Sequence, residues 1–258
     1  MDRRTFVETL GGIGMVTAAN AAPAAEKPKR VFLLEQFFLK NGTQRARIDD
    51  YLSQGSIPAL SRLQSGPVIV LEALVAAHMP QVAVILGFDS AAQCFGLRPK
   101  LKADKTLSGL FEAWERGDEP PYEHCSVSLL EAADYCPEIK ADPARKAPRI
   151  FELRTYHSPT WRQLAALHER FAGPEIRIFH RSGVRPILYT STLAGQMMPN
   201  LTYLIPFDNL AEREKAWAAF GADPEWVKVR KESIDKHGQI SSVMQMSLWR
   251  ATPYSPIK

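Results

Sequence analysis

The chain has 258 residues, of which 45% are hydrophobic and 23% are charged, a balance that is typical of globular proteins and excludes a disordered chain. This length is enough for one large domain or two small ones. The 32 basic and 28 acidic residues are interspersed and give a net charge of +4, which predicts no nucleic-acid or anionic-lipid partner. No apolar run reaches the roughly 18 residues of a membrane-spanning helix, so no membrane span is expected.

The first 25 residues have the three parts of a cleavable export signal. The tetrapeptide Arg3-Arg4-Thr5-Phe6 resembles a twin-arginine signal, and a weakly apolar, glycine-containing stretch follows over residues 10–19. Ala19 and Ala21 have the spacing of a cleavage site. We therefore expect residues 1–25 to be a twin-arginine signal peptide cleaved near Ala21, and the mature protein to be periplasmic or secreted. The alternative is an amphipathic N-terminal helix.

Hydrophobic periodicity in the rest of the first half predicts strands and helices in alternation. The predicted strands are Val31–Leu39, Val68–Ala76, Gln81–Phe88 and Ser126–Ala133, and the predicted helices are Gln44–Leu63 and a short one from Ala91. We interpret residues 98–125 as an insertion before the last of these strands, with apolar residues at helical spacing. Residues 140–147 are rich in proline and charge, which predicts a linker.

The second half of the chain predicts the same order of elements. Its predicted strands are Arg149–Tyr156, Pro186–Leu193, Leu201–Phe207 and Val243–Arg250, and its predicted helices are Pro159–Phe171, a piece with Ile176 and His180, and Leu210–Phe220 with a continuation after Pro224.

An internal repeat relates the two halves at an offset of 119 residues. Among the matches, Arg30, Phe32 and Leu34 recur as Arg149, Phe151 and Leu153, and Met79-Pro80 recurs as Met198-Pro199. Because each copy has the order β-α-β-β-α-β, we predict an α+β fold of two tandem ferredoxin-like domains. The domains are expected over residues 30–139 and 148–250, with a C-terminal tail over residues 251–258.

The second copy resembles the NIPSNAP domain family in three motifs that follow the family's order. These motifs are the strand Phe151–Tyr156, the segment from Asn200 to Trp217, and Asp223-Pro224-Glu225-Trp226. The family is similar to the dimeric α+β-barrel superfamily, in which two sheets face each other around a cavity. The resemblance implies that this chain carries both halves of such a barrel, an intrachain pseudo-dimer. The first copy departs from the pattern, with Leu33 and Glu35 in the positions of Glu152 and Arg154.

A stripe of polar residues on one predicted strand is the candidate ligand-binding site. Glu152, Arg154 and Tyr156 alternate with Phe151 and Leu153, so they share one face of the strand. We expect the apolar residues to face the helices and the polar stripe to point into the barrel, where a water-poor cavity favours ligand binding. The alternative is an internal ion pair that neighbouring groups satisfy.

His157 follows this stripe at the strand end and is the candidate acid-base catalyst. His124 beside Cys125 raises the weaker possibility of a thiol nucleophile. The sequence contains no glycine-rich phosphate loop, no nucleophilic-serine motif and no cofactor motif, so no cofactor is expected.

The three cysteines do not predict a metal site, because neither a Cys-x-x-Cys nor a His-x-x-x-His spacing occurs. An extended strand between Cys125 and Cys136, at ~3.3 Å per residue, separates these two beyond the ~7 Å limit of a disulfide. A disulfide, if one forms, is expected to use Cys94, and three reduced thiols are the open alternative.

Two classes of function remain. The first is a non-enzymatic protein that binds a small organic ligand in the barrel cavity, or binds a protein partner. The second, by analogy with related barrels, is a cofactor-independent or haem-assisted oxygenase or isomerase. Both a monomeric pseudo-dimer and a homodimer agree with the sequence.

Overall fold

The computed structural model of the protein describes residues 29–258, so residues 1–25, for which the sequence predicts an export signal, lie outside the described residues. The eight strands are β1 (Val31–Phe38), β2 (Val68–Val75), β3 (Gln81–Phe88), β4 (His124–Ala132), β5 (Ile150–His157), β6 (Leu188–Ala194), β7 (Asn200–Phe207) and β8 (Val243–Ala251). The helices are α1 (Gln44–Tyr51), α2 (Ile57–Leu63), α3 (Ala91–Ala103), α4 (Lys105–Glu115), α5 (Trp161–Arg170), α6 (Ile176–Ser182), α7 (Leu210–Ala222) and α8 (Pro224–His237). A π-helical turn joins α1 to α2 (Leu52–Ser56), and another joins α5 to α6 (Phe171–Glu175).

The eight strands form one closed antiparallel barrel in the order β1-β3-β2-β8-β5-β7-β6-β4. Each half of the chain contributes four adjacent strands, β4-β1-β3-β2 and β8-β5-β7-β6. The halves join at two seams, where β2 pairs with β8 and β4 pairs with β6. The fold is therefore a mixed α/β fold built around a barrel to which both halves are necessary.

Each strand has one face toward the barrel interior and one toward the helices, because successive side chains alternate. Strand β3 shows this best, since all eight of its residues are buried. Ala83 and Ile85 belong to the core cluster that includes the cavity-lining residues Leu34 and Leu153, whereas Val82 and Val84 pack with the helices of the first half. Both faces of this strand therefore contribute to the core.

The internal repeat extends through the whole structure. Six elements of the first half have counterparts with identical bounds 119 residues later: β1 and β5, the two π-helical turns, α2 and α6, β3 and β7, α3 and α7, and β4 and β8. The predicted elements agree with the observed ones to within about two residues at most of their ends.

The interpretation of residues 98–125 as an insertion is wrong. This segment contains the end of α3, all of α4 and the start of β4, and the second half has α7, α8 and β8 in the same places. Asp104 and Asp223 begin the paired helices α4 and α8 as N-caps. Each also binds an arginine, Arg62 at 2.6 Å and Arg181 at 2.7 Å, and these arginines are 119 residues apart. The segment looked like an insertion because its structure is kept while most of its residues differ.

The segments that follow β4 and β8 are also equivalent and explain one cysteine. The Cys136 thiol accepts a hydrogen bond from the Tyr189 amide at 3.4 Å, and the Ser255 hydroxyl, 119 residues later, accepts one from the Val70 amide at 2.9 Å. Cys136 therefore has the structural role of a buried hydroxyl. All three cysteines are free. Within residues 29–258, no helix has both the length and the apolar character to cross a membrane.

Candidate functional site

The orientation expected for the polar stripe on β5 is wrong. Leu153 and Thr155 line a cavity inside the barrel, whereas Glu152, Arg154 and Tyr156 face the helices. The interior needs apolar side chains from every strand to fill it, and Phe151 and Leu153 supply them on β5. Alternation in the sequence identifies two faces but does not show which one the helices cover.

The interior of the barrel contains both packed apolar side chains and a cavity. Phe32, Ile85 and Phe151 belong to the packed core. The cavity has a volume of about 550 Å³ and lies between the two halves of the chain. Its lining includes the apolar residues Leu34, Leu130, Leu153 and Trp249 and the polar residues Gln36, Gln81, Ser126, Ser128, Thr155, Thr192, Asn200, Thr202, Gln245 and Ser247.

A chain of hydrogen bonds holds the polar wall on the second half. The Asn200 side-chain amide donates to the carbonyls of Gln196 and Met197, both at 3.0 Å, and so holds the loop above the cavity. Its oxygen accepts from the hydroxyls of Thr192 at 2.8 Å and Thr202 at 3.1 Å. The hydrogen-bonding groups of Asn200 are therefore fully used within the protein.

These hydrogen bonds determine whether the Thr155 hydroxyl acts as a donor or as an acceptor toward the cavity. Because the Thr202 hydroxyl donates to Asn200, the bond of 2.9 Å between the Thr155 and Thr202 hydroxyls has Thr155 as its donor. Thr155 therefore presents lone pairs to the cavity. Ser247 is the opposite case, since its oxygen accepts the Trp249 indole N–H at 2.7 Å and its own proton is free to be donated.

None of the described residues that line the cavity is charged or is a histidine. His157 lies at the end of β5, where its Nδ1 is 3.1 Å from the Ser242 hydroxyl, and it does not line the cavity. His168 bridges the Tyr135 and Ser191 hydroxyls, both at 2.7 Å, which is a structural role. The described lining residues therefore offer the cavity apolar surface and uncharged hydrogen-bonding groups.

The thiol beside His124 is not activated. Burial, with the nearby Glu35 carboxylate, raises the pKa of Cys125 to about 11, so the thiol stays protonated near neutral pH. His124 stacks its ring on Phe38 at 4.1 Å. This pair therefore does not supply the thiolate that a nucleophilic mechanism needs.

The polar stripe belongs to a cluster between the barrel wall and helix α7. Glu152 is fully buried and accepts hydrogen bonds from Arg154, from Arg213 at 2.6 Å and from the Trp217 indole at 2.9 Å. The Arg154 guanidinium lies 3.7 Å from the Trp217 ring centroid and donates to the Tyr156 hydroxyl at 3.1 Å. Burial lowers the pKa of Arg154, but Tyr203, Tyr156 and Glu152 raise it more, so the charge is kept.

Several of these residues were beyond sequence reasoning. Arg213 and Trp217 lie in the family motif between Asn200 and Trp217, but only the packing of α7 on β5 shows that they bind Glu152. Thr155 and Thr202 meet because β5 and β7 pair in a register that places them opposite each other. The threonines on β6 and β7 (Thr190, Thr192 and Thr202) are the feature of the sequence that could have indicated polar groups inside the barrel.

Residues 151–256 match the model of the NIPSNAP family. This match confirms, for the second half of the chain, the resemblance that its motifs indicate. No curated protein matches the chain.

Solved structures share the fold over most of both chains. An anthrone oxidase-like protein is 13% identical with a TM-score of 0.55, over 88% of this chain and 92% of its own. A candidate monooxygenase from Fusobacterium nucleatum subsp. nucleatum is 7% identical with a TM-score of 0.55, over 87% and 93%. Another from Lactobacillus acidophilus is 12% identical with a TM-score of 0.53, over 86% and 94%. At these identities the likeness concerns the fold alone.

Proposed function

We propose that the chain binds a small, uncharged organic molecule in the cavity of the barrel. The observation that carries this proposal is the cavity of about 550 Å³, whose lining combines apolar side chains with uncharged hydrogen-bonding groups. Small-molecule sites are commonly ~300–1,000 Å³ and have this mixed lining. A charged ligand would lose its hydration without meeting an opposite charge among the described lining residues, so a neutral one is favoured.

The donor and acceptor roles of the hydroxyl groups in the cavity indicate which polar groups the ligand carries. Thr155 offers a hydrogen-bond acceptor and Ser247 offers a donor, on the adjacent strands β5 and β8. The apolar part of the ligand would contact Leu34, Leu153 and Trp249. The expected ligand therefore has an apolar body with a donor, such as a hydroxyl or an N–H, beside an acceptor.

Mass spectrometry of the purified full chain tests this proposal. The native protein should retain a small molecule, and Thr155→Phe should lose it because the larger ring occupies the cavity. Thr106→Phe is the matched control, since Thr106 is exposed on α4. Retention of the same molecule by Thr155→Phe at the native level would contradict binding in the barrel.

Thr155→Val is the finer variant, because it keeps the shape of the side chain and removes the hydroxyl. We expect it to weaken ligand binding roughly threefold to tenfold, which corresponds to the ~0.5–1.5 kcal/mol of one hydrogen bond. An unchanged affinity would mean that the ligand does not use this wall.

The enzymatic alternative, a cofactor-independent or haem-assisted oxygenase or isomerase, has less support. Cofactor-independent proton transfer needs a titratable side chain at the cavity, and the described lining residues include none. Haem iron is commonly held by a proximal histidine, cysteine or tyrosine, and these residue types are also missing from the described lining. The cavity residues therefore do not fit haem, and binding is the function that we propose.

We also infer that the two halves are ferredoxin-like copies of one unit, fused into an intrachain counterpart of a dimeric α+β barrel. The equivalent strand orders and the offset of 119 residues support this inference. The twin-arginine pattern at Arg3 and Arg4 supports the further proposal that the protein is exported. Changing both residues to lysine should leave the chain in the cytoplasm, and unchanged export would contradict the assignment.

A further inference from the structure

We propose that Arg154, Arg213 and Tyr156 form a second binding site, which takes the carboxylate of a small organic acid beneath Met244 and Met246. The site lies between β5, β8 and α7, on the face of β5 opposite the cavity-lining residues Leu153 and Thr155. Met244 and Met246 also border the interior cavity, whereas Arg154, Arg213 and Tyr156 do not line it. The proposal is independent of the neutral ligand proposed above.

The first argument is the balance of buried charge. The guanidinium side chains of Arg154 and Arg213 are each 11% exposed, and both bind Glu152, whose side chain is 0% exposed. Arg213 also contacts Glu214, but that side chain is 72% exposed, so water screens the pair. Two buried positive charges therefore share one buried negative charge, and a further anion would balance them.

The second argument is that both guanidinium groups direct some of their N–H donors at sulfur atoms instead of oxygen atoms. Arg154 donates to the sulfur atoms of Met244 at 3.4 Å and Met246 at 3.9 Å, and Arg213 donates to the Met246 sulfur at 3.2 Å. A thioether sulfur is a weak acceptor compared with a carboxylate oxygen. These N–H groups would therefore gain stronger bonds from an oxyanion in place of the sulfur atoms.

Tyr156 adds a third donor to this group. Its oxygen accepts hydrogen bonds from the Tyr203 hydroxyl at 2.7 Å and from Arg154 at 3.1 Å. The Tyr156 proton consequently has no acceptor among these groups and is free for a ligand. A site with donors from two guanidinium groups and one phenol favours an anion over a neutral molecule.

The first half of the chain shows that the fold does not need this cluster. At an offset of 119 residues, Leu33, Glu35 and Cys94 occupy the positions of Glu152, Arg154 and Arg213. The same strands and helix form there with two apolar or weakly polar residues and a reversed charge. The cluster in the second half is therefore an addition to the fold.

Two exposed methionine side chains lie against these donors. Met244 and Met246 are 52% and 47% exposed, because this part of β8 lies beyond the seam with β2 and pairs only with β5. Their thioethers can turn toward solvent while the guanidinium planes stay fixed, since Arg154 is stacked on Trp217 and Arg213 is bound to Glu152. Planar guanidinium groups match the two oxygens of a carboxylate, and the methionines would contact its apolar body.

The test is a titration of the full chain with benzoate, in a buffer free of other carboxylates and of phosphate. We expect saturable binding that weakens as salt is added. Calorimetry measures this binding, and so does tryptophan fluorescence, because Trp217 lies under Arg154. Benzamide, which has the same shape without the charge, should bind at least tenfold more weakly. Equal binding of the two compounds, or no benzoate binding at millimolar concentration, would overturn the proposal.

A variant that supplies the carboxylate from within the protein makes the test specific. Met246→Glu places a carboxylate beside both guanidinium groups, so it should lower the affinity for benzoate at least tenfold and raise the melting temperature. Val127→Glu is the matched control, since Val127 is the exposed residue 119 positions earlier on β4, and it should leave benzoate binding unchanged. Native benzoate affinity in Met246→Glu would overturn the site.

The barrel-filling variant distinguishes this site from the interior cavity. Thr155→Phe should keep the native affinity for benzoate, because Thr155 faces the interior and the proposed site lies on the other face of β5. Loss of benzoate binding in Thr155→Phe would place the anion in the cavity and overturn the second site.

Discussion

Glu175 shows how burial changes the chemistry of a single carboxyl group. The residue is 1% exposed and lies in the π-helical turn between α5 and α6, where it accepts a hydrogen bond from Arg170 at 2.7 Å. Burial raises the pKa of Glu175 from 4.5 to about 7, although Arg170 acts in the opposite direction. The carboxyl group therefore titrates in the folded protein near neutral pH.

This shift makes stability depend on pH with a definite sign. The unfolded chain releases the Glu175 proton near 4.5 and the folded chain near 7, so the stabilising contribution is complete below 4.5 and is lost as pH rises through 7. We expect the free energy of unfolding to fall between pH 5 and pH 8, with this residue contributing up to about 3 kcal/mol at 1.36 kcal/mol per pKa unit. Urea denaturation across this pH range measures the slope.

Glu175→Gln should remove most of that slope, because the amide stays neutral and can still accept the Arg170 hydrogen bond. Glu169→Gln, at an exposed position of α5, is the control and should keep the native slope. An equal slope in Glu175→Gln and in the native chain would assign the pH dependence to another group.

Helix α7 carries Arg213 and Trp217, and its start depends on the N-cap residue Asn209. The Asn209 side-chain oxygen accepts the Glu212 amide at 2.9 Å, and Ser90, 119 residues earlier, caps α3 through the Gln93 amide at 3.2 Å. Such a cap satisfies an amide that has no partner within its helix. The position of Arg213 against β5 therefore depends on a residue four positions before it.

Asn209→Ala should lower the free energy of unfolding by about 1 kcal/mol, since alanine cannot accept that hydrogen bond. Asn209→Asp should keep the native stability, because aspartate caps equally well and its charge suits the helix N-terminus. Chemical denaturation of both variants checks the cap. Equal losses in the two variants would point to packing at Asn209 as the cause.

The elements were predictable from the sequence because each strand and helix has a local hydrophobic period. The sequence did not predict which face of β5 points into the barrel, because Glu152 and Arg154 look like interior polar residues until α7 is placed against them. Their partners lie about sixty residues away, at Arg213 and Trp217. The cavity was also beyond local reasoning, since its walls combine residues of both halves through the strand register.

The two seams of the barrel make each half of the chain an incomplete structure. Removing the first half would expose the edges of β6 and β8, which pair with β4 and β2 in the intact barrel. Unpaired strand edges associate with other strands. The ion pair between Arg250 on β8 and Glu72 on β2, at 2.6 Å, would also be lost.

Residues 148–258 expressed alone should therefore form a homodimer, in which β6 and β8 of one copy pair with β8 and β6 of the other. Size-exclusion chromatography with light scattering gives the mass, and circular dichroism reports the fold. The intact chain provides the reference for a barrel closed within one molecule. A folded fragment that stays monomeric at tens of micromolar would show that the seams are dispensable.

The offset that relates the two halves has a consequence for how this protein can change by mutation. In a barrel assembled from two identical chains, symmetry reproduces every substitution on both walls, so a new charged group must be tolerated twice. Here the four strands of each half are encoded by different parts of one sequence. A substitution therefore alters one half of the barrel while the other half keeps its packing. Leu33 and Glu152 are such a pair, one apolar and one charged at equivalent positions. In a single chain, equivalent positions of the two halves can therefore carry different residues, and each half of the barrel can acquire a different chemistry.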